Sequence, residues 1–477
     1  MRRIAYCSPV NPQPSGISDY SEDLLPFLGQ YADVTLFVDG VVPAHPSLRQ
    51  HLDVRSIERL PQLHAAQPFD ALVYHLGNSP VHAAIYDMAQ RLPGVVVLHE
   101  WVLHHFKLWH AATRRGDVGR YLAEMAWRYG DRGEAVARRM AQGQLLDAAF
   151  AMPLVEDVIE RAQGVIVHSD YVLGLAQTLR PTLPVARVPM GVPLLPHVEM
   201  AHARATLGLP TDVPIWASFG HINPYKRIEG ALRAFRRYKL LEPDALYVLV
   251  GSVSGSYDLA AVTRRLDLGS SVIVTGYVSP ADFAAYVSAS DLCLNLRYPT
   301  AGETSASLLR LLSAGRPTLV SAVDAMQELP DAVCAKVDPG KAEQEQILAY
   351  ARLFQRYPQV ARQLGVKARA FVAAEHSLER AARGYIDFLG SVNGWGPTTI
   401  RRPALWSTES AQPSSPAPAR TAQATSREDG PLSAIDVPMA ITGMVAATGQ
   451  VAAELGIKAD DEAVLPALAH TIRDLVS

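Results

Sequence analysis

The sequence predicts an α/β protein of two facing, doubly wound domains, followed by a flexible linker and a short helical C-terminal segment. Three observations carry this. Short Val/Ile/Leu runs without internal charge alternate with helical stretches through the first 192 residues. The same alternation restarts after Pro193. Composition then shifts sharply past Trp395.

In the first unit, RRIAYCSP, ADVTLFVD, ALVYHLG, GVVVLHE and GVIVHSD are compact apolar runs. Such runs suit strands buried on both faces of a parallel sheet. Helices are expected between them, for example Ser18–Leu28 and His82–Leu92. The second unit repeats the pattern with PIWASFG, ALYVLVG, SVIVTGY, DLCLNLR and PTLVS, and ends in one long helical stretch over 360–390. The boundaries read as 1–192, 193–395, a linker over 396–431 rich in Pro, Ser, Ala and Thr, and a small helical tail over 432–477. The linker lacks the large apolar groups that build a core.

The 477 residues carry 49% hydrophobic and 19% charged side chains, an ordinary globular balance. A formal net charge of −3 implies no general affinity for nucleic acid. Cys7, Cys293 and Cys334 are widely spaced and form no CxxC, which argues against a disulfide framework or a zinc site. The opening MRRIAYCSPV reads as a buried strand rather than a signal peptide, and no apolar run reaches the ~18 residues of a membrane span, so the cytoplasm is the expected compartment.

Residues 299–317, PTAGETSASLLRLLSAGRP, carry the strongest functional signal. A turn at Pro299 and Gly302 delivers Glu303; Thr304, Ser305 and Ser307 follow; a helical apolar run ends at Gly315 and Pro317. A loop feeding a helix start presents free N–H groups and partial positive charge, which suit a phosphate or diphosphate. An ordinary capped helix is the bland alternative. The second signal is WASFGHINPYKRIEGALRAF, residues 216–235: strand, Gly220, a turn at Asn223-Pro224, then Lys226 and Arg227 at a helix start. Cations just beyond a strand's carboxyl end are placed to hold an anion at the sheet edge. Two anion sites on one α/β unit suggest a nucleoside diphosphate.

Several pieces in order resemble the retaining glycosyltransferase family 4, of GT-B fold, over about residues 1–390. They are SFGHINPYKRIEGALRAF and VIVTGYVSPADFAAYVSASDLCLNLRYPTAGETSASLLRLLSAGRPTLVS in the second unit. In the first they are PQPSGISDYSEDLLPFL, VVVLHEWVLHHF, VIVHSDYV and VPMGVP. The resemblance implies a hexosyltransferase that moves a sugar from a nucleoside-diphosphate sugar to a glycan or lipid-linked acceptor, with retention and without metal or cofactor. It implies catalytic roles for His99, Lys226 and Glu303. It implies donor-binding roles for Gly16, Gly220, His221, Arg227, Tyr277, Thr304, Ser305, Ser307 and Arg310. Two departures stand out. Counting back from Gly315, Arg310 occupies the family's second acidic position, the usual ribose-binding acid, and Gly302 the first, with Glu303 one place later. His221 stands where the family often carries Arg.

His99 and His104 are five apart, so HEWVLH is not a zincin HExxH. His75, Asn78 and His82 follow another strand and could contact carbohydrate or pack in the core. Arg114, Arg115, Arg128, Arg132, Arg138 and Arg139 form a basic helical region that reads either as a solvated face or as a peripheral contact with the inner face of a membrane. The chain has no GxGxxG after a strand, no GxxxxGK[ST] and no DxD, which disfavours a dinucleotide enzyme, an NTPase and a metal-dependent transferase. A sugar-nucleotide epimerase and a degenerate, non-catalytic sugar-nucleotide binder that recruits protein partners through its tail remain as alternatives. The tail is expected to be dispensable for transfer chemistry.

Overall fold

A computed structural model describes residues 1–144 and 147–406. The expected linker beyond 406 and the helical tail lie outside the described residues. The first sheet contains β1 (Arg2–Cys7), β2 (Ala32–Val38), β3 (Asp53–Ser56), β4 (Ala71–Leu76), β5 (Val95–Leu98), β6 (Gly164–Val167) and β7 (Val185–Arg187). Its order is β3-β2-β1-β4-β5-β6-β7. The second sheet contains β8 (Ile215–Phe219), β9 (Leu246–Val250), β10 (Val272–Gly276), β11 (Leu292–Asn295), β12 (Thr318–Ser321) and β13 (Ala335–Val337), in the order β10-β9-β8-β11-β12-β13. Every strand pair is parallel. The ten apolar runs all form strands. The sequence reading misses β3, β7 and β13, which are three or four residues long at sheet edges. β3 is largely exposed, so burial writes no apolar pattern into it.

Both sheets reverse strand order about their first strands, with β1 beside β4 and β8 beside β11. In an open parallel sheet, ligands bind outside the carboxyl ends at such switch points. The two crevices face each other, and this is the GT-B architecture. Backbone bonds join the facing loops: Trp101 N–H and Val102 N–H donate to Ala301 O at 2.6 and 3.1 Å. Asp170 N–H donates to Glu328 across the same junction at 2.9 Å.

Two expectations about the chain's later course are corrected. The single helical ending is two helices, Pro358–Glu375 and Leu378–Asn393, broken where Ser377 caps the second through the Arg380 N–H. The second of these leaves its own domain. Tyr385, Ile386, Phe388 and Leu389 are buried in a cluster with Tyr20, Leu24 and Val97 of the first sheet's domain, and the Tyr20 and Tyr385 hydroxyls bond at 3.1 Å. Residues 396–406 continue along that domain rather than opening a linker. Arg401 N–H donates to Gln30 O at 2.9 Å, Leu405 N–H to Pro26 O at 3.2 Å, and Trp406 stacks on His51. Apolar burial of Leu405 and Trp406 is the physical reason.

Candidate active site

Lys226 ends the 3-10 turn Pro224–Lys226, which Asn223 caps by accepting the Lys226 N–H. The turn folds the side chain back so that Nζ donates to Phe219 O, the last residue of β8, at 2.5 Å. Gly220, at φ +90°, makes this approach feasible, because a Cβ there would stand 2.9 Å from Lys226 Nζ. Burial, reinforced by the Arg297 guanidinium and partly offset by Glu303, holds the Lys226 ammonium down at about 7. An amine suppressed in this way gains most when an anion arrives.

Arg297, just past β11, organises the opposite wall. It pairs with the Glu303 carboxylate, donates from Nη2 to Ser305 Oγ at 2.7 Å, and its backbone N–H donates to Ser321 Oγ at 2.8 Å. Glu303 also accepts the Ala301 N–H at 2.8 Å. Glu303 is therefore locked by charge and does not cap the following helix. Ser305 is the N-cap of the Ala306–Ser313 helix and accepts the Leu308 N–H. Ser307 Oγ lies 3.0 Å from Ser305 Oγ and accepts from Asn295 at 3.3 Å. Lys226, Arg297, Glu303, Ser305 and Ser307 thus converge at one carboxyl edge, with Thr304 on the same partly exposed loop.

From the facing domain comes Glu100. Gly302, at φ +75°, packs where a Cβ would meet Trp101 Cβ at 3.0 Å, so the two loops interlock closely. Burial and then the Glu303 charge raise the Glu100 carboxyl to about 7. His99, its neighbour, turns the other way into a buried aromatic nest. Its ring lies 4.9 Å from His168 and 5.4 Å from Tyr20, and its Nε2 is 2.9 Å from His75 Nδ1. Burial holds His75 and His99 well below the usual histidine range and His82 and His168 at about 4, so the cluster is neutral at pH 7. Gly16 is the exposed first residue of the Gly16–Leu28 helix, capped by Ser15.

Three residues named from sequence are committed elsewhere. Arg227, in the left-handed region at φ 56°, makes a two-pronged pair with buried Glu343, both contacts at 2.8 Å. Arg310 reaches across the junction to Asp23 at 3.2 Å and Asp19 at 3.9 Å. His221 is exposed and bonds Ser252 Oγ at 3.0 Å. Tyr277 is 81% exposed beyond β10. Four of the six arginines in the basic helical region have carboxylate partners: Arg114 and Arg115 share Asp87, Arg128 pairs with Glu124 and Glu160, and Arg138 with Glu134. Sequence reading misses Arg297 and Glu100. The local signal for each is its position one or two residues past an apolar run, and for Glu100 also the His-Glu pair it forms with His99 at the strand end.

Residues 200–332 match the family model of glycosyl transferases group 1, over the second domain whose motifs carry the resemblance. The alpha-monoglucosyldiacylglycerol synthase of Streptococcus pneumoniae is 24% identical over 187 residues. That match covers 38% of this chain and 42% of the relative, so the chain aligns with less than half of its length. In fold, the chain is similar to sucrose-phosphate synthase from Thermosynechococcus elongatus (TM-score 0.62, 18% identity), over 83% of this chain and all of that one. It is likewise similar to Anabaena HepE in complex with UDP-glucose (TM-score 0.58, 16% identity), over 82% of this chain and all of that one. Among the described residues no helix is long and apolar enough to cross a membrane.

Proposed function

We propose that this chain is a glycosyltransferase that moves a hexose from a nucleoside-diphosphate sugar to a glycan or lipid-linked acceptor, with retention at the anomeric carbon. The observation that carries the reading is the convergence of Lys226, Arg297 and the Ser305-capped helix start at the switch point of a domain matching glycosyl transferases group 1. The diphosphate would lie against these groups. As the bond from the anomeric carbon to phosphate oxygen breaks, Lys226 and Arg297 offset the charge that develops on the leaving group. The acceptor oxygen bonds the anomeric carbon on the same face, and its proton passes to the departing phosphate oxygen. Glu303 holds donor-sugar hydroxyls. These cations take the place of a metal, and the transfer needs none.

The relative's lipid-glycoside name supports a lipid-linked acceptor, and a UDP-sugar is the first donor to test, since Anabaena HepE is solved with UDP-glucose. The proposed setting is the cytoplasm, at the inner face of the membrane. Release of UDP with acceptor present, resistant to EDTA, and an axial product by NMR are expected; an inverted product sinks retention. Lys226→Ala is expected to lower turnover about 10²- to 10⁴-fold, and an unchanged rate removes Lys226 from the site.

One observation favours the second reading, a non-catalytic sugar-nucleotide binder: Arg310, at the usual acid position, is tied to Asp23. Saturable donor binding without UDP release for any acceptor selects it.

A further inference from the structure

A cavity of about 450 Å³ lies in the second domain, at the edge opposite the candidate active site. Its wall includes Pro214 and Trp216 at the start of β8, Asp291 and Leu292 at the start of β11, and Gly315–Pro317 immediately before β12. Trp216 and Gly220 are four residues apart along one strand, so the cavity is ~13 Å from the Lys226 end by strand rise alone. Diphosphates bind at carboxyl ends of parallel strands; this cavity opens at the amino ends and is a separate place. Its size falls within the ~300–1,000 Å³ of small-molecule sites.

Two features define what would fit. One is a wall of large rings, Trp216, Tyr238 and Phe354, which are at most 6% exposed yet line the space. The other is Arg316. Its Nε is buried without a hydrogen-bond partner, and its guanidinium makes no ion pair among the described residues. Burial holds it below the usual arginine range. The neighbouring Arg204 is different: it is consumed by Asp291 at 2.7 Å and by the carbonyls of Ala289 and Thr211 at 3.0 and 2.7 Å. Counting the lining side chains, Arg204, Arg316 and Arg362 stand against Asp212 and Asp291, three positive charges against two negative. Asp291 and Glu199 offset the burial of Arg316 only in part, and a half-buried guanidinium with no carboxylate in ion-pair contact gains by taking one up. Its planar donor fork matches a carboxylate or phosphate.

We propose that this cavity is a binding site for a small organic anion, a carboxylate or phosphate borne on a flat apolar body, with Arg316 holding the charge and the Trp216–Tyr238–Phe354 wall holding the body. The probes are phenyl phosphate, benzoate, benzyl alcohol and inorganic phosphate, titrated into the full chain by calorimetry. An aryl anion is expected to bind in the millimolar range or tighter, at least tenfold better than benzyl alcohol and at least tenfold better than inorganic phosphate. Preference for benzoate or for phenyl phosphate assigns the anion as carboxylate or phosphate. Binding should survive Lys226→Ala and saturating UDP, which separates this site from the proposed donor site. It should fall at least tenfold in Arg316→Met and recover in part in Arg316→Lys. Hydrogen exchange on the unaltered chain gives a readout that no variant can spoil. Slowing is expected over 211–216 and 314–318. The proposal is overturned by no aryl-anion binding up to 10 mM (about the weakest affinity such a titration reads). It is equally overturned by equal affinity for benzyl alcohol, by undiminished binding in folded Arg316→Met, or by exchange unchanged in both segments.

Discussion

Lys226 should take up a proton when the donor diphosphate binds. In the empty cleft its ammonium is held at about 7, so at pH 8 about one molecule in eleven carries the charge. A phosphate oxygen ~4 Å from Nζ contributes about 4 kcal/mol at an effective dielectric of ~20. That is about three pKa units, enough to return the amine to about 10. At pH 8 the loaded site is then almost fully protonated, and binding UDP should draw in about 0.9 proton per site. The buried His75, His82, His99 and His168 stay neutral throughout, and working in a Glu100→Gln background removes the other group held near 7 at this site. The assay is calorimetry of UDP binding at pH 8 in buffers of different ionisation enthalpy, where the slope of observed against buffer enthalpy is the proton count. The Kd for UDP should also rise about tenfold per pH unit above pH 8. Lys226→Met should bind more weakly, with a slope near zero. A wild-type slope near zero, or the same slope in Lys226→Met, would refute the placement of the diphosphate at Lys226.

Glu100, held at about 7 in the folded chain, keeps a proton that the unfolded chain loses near pH 4.3, so its contribution to stability falls as pH rises from about 4.3 to 7. Glu100→Gln should therefore raise stability by about 3–4 kcal/mol at pH 8 and by little at pH 4.5, read by urea denaturation at both pH values; equal effects at both contradict the assignment. Lys226 acts with the opposite sign: the unfolded chain holds the proton up to about 10.4 while the folded site releases it near 7, so stability rises across that window, and Lys226→Met should flatten the rise. Glu343→Gln leaves Arg227 without its two-pronged partner and should cost about 2 kcal/mol in the second domain, measured by denaturant midpoint. A chain ending at Gly396 loses the packing of Leu405 and Trp406 on the first domain, and should unfold about 2–4 kcal/mol more easily than one ending at Trp406; equal midpoints show that 397–406 adds nothing.

The sequence by itself determined the two βα series, ten of the thirteen strands and the turn at Asn223-Pro224. Each is written in residues a few positions apart, as an apolar run or a turn pair. It also placed Lys226, Glu303, Ser305 and Ser307, because a loop at a strand's carboxyl end stands at the cleft wherever the strand goes. Tertiary structure decided the rest. Arg227 and Lys226 are adjacent in sequence, yet one pairs with Glu343, 116 residues away, and the other lies under β8. Arg297 met Glu303 and Ser305 only when residues 299–305 folded back onto it. Glu100 acquired its shifted carboxyl from tertiary burial, with the facing domain's Glu303 adding to it. The Leu378–Asn393 helix crossed to the first domain because Tyr385 and Phe388 bury there. Charge pairing and burial depend on distance through space, and local pattern carries no record of which distant residue will close that distance.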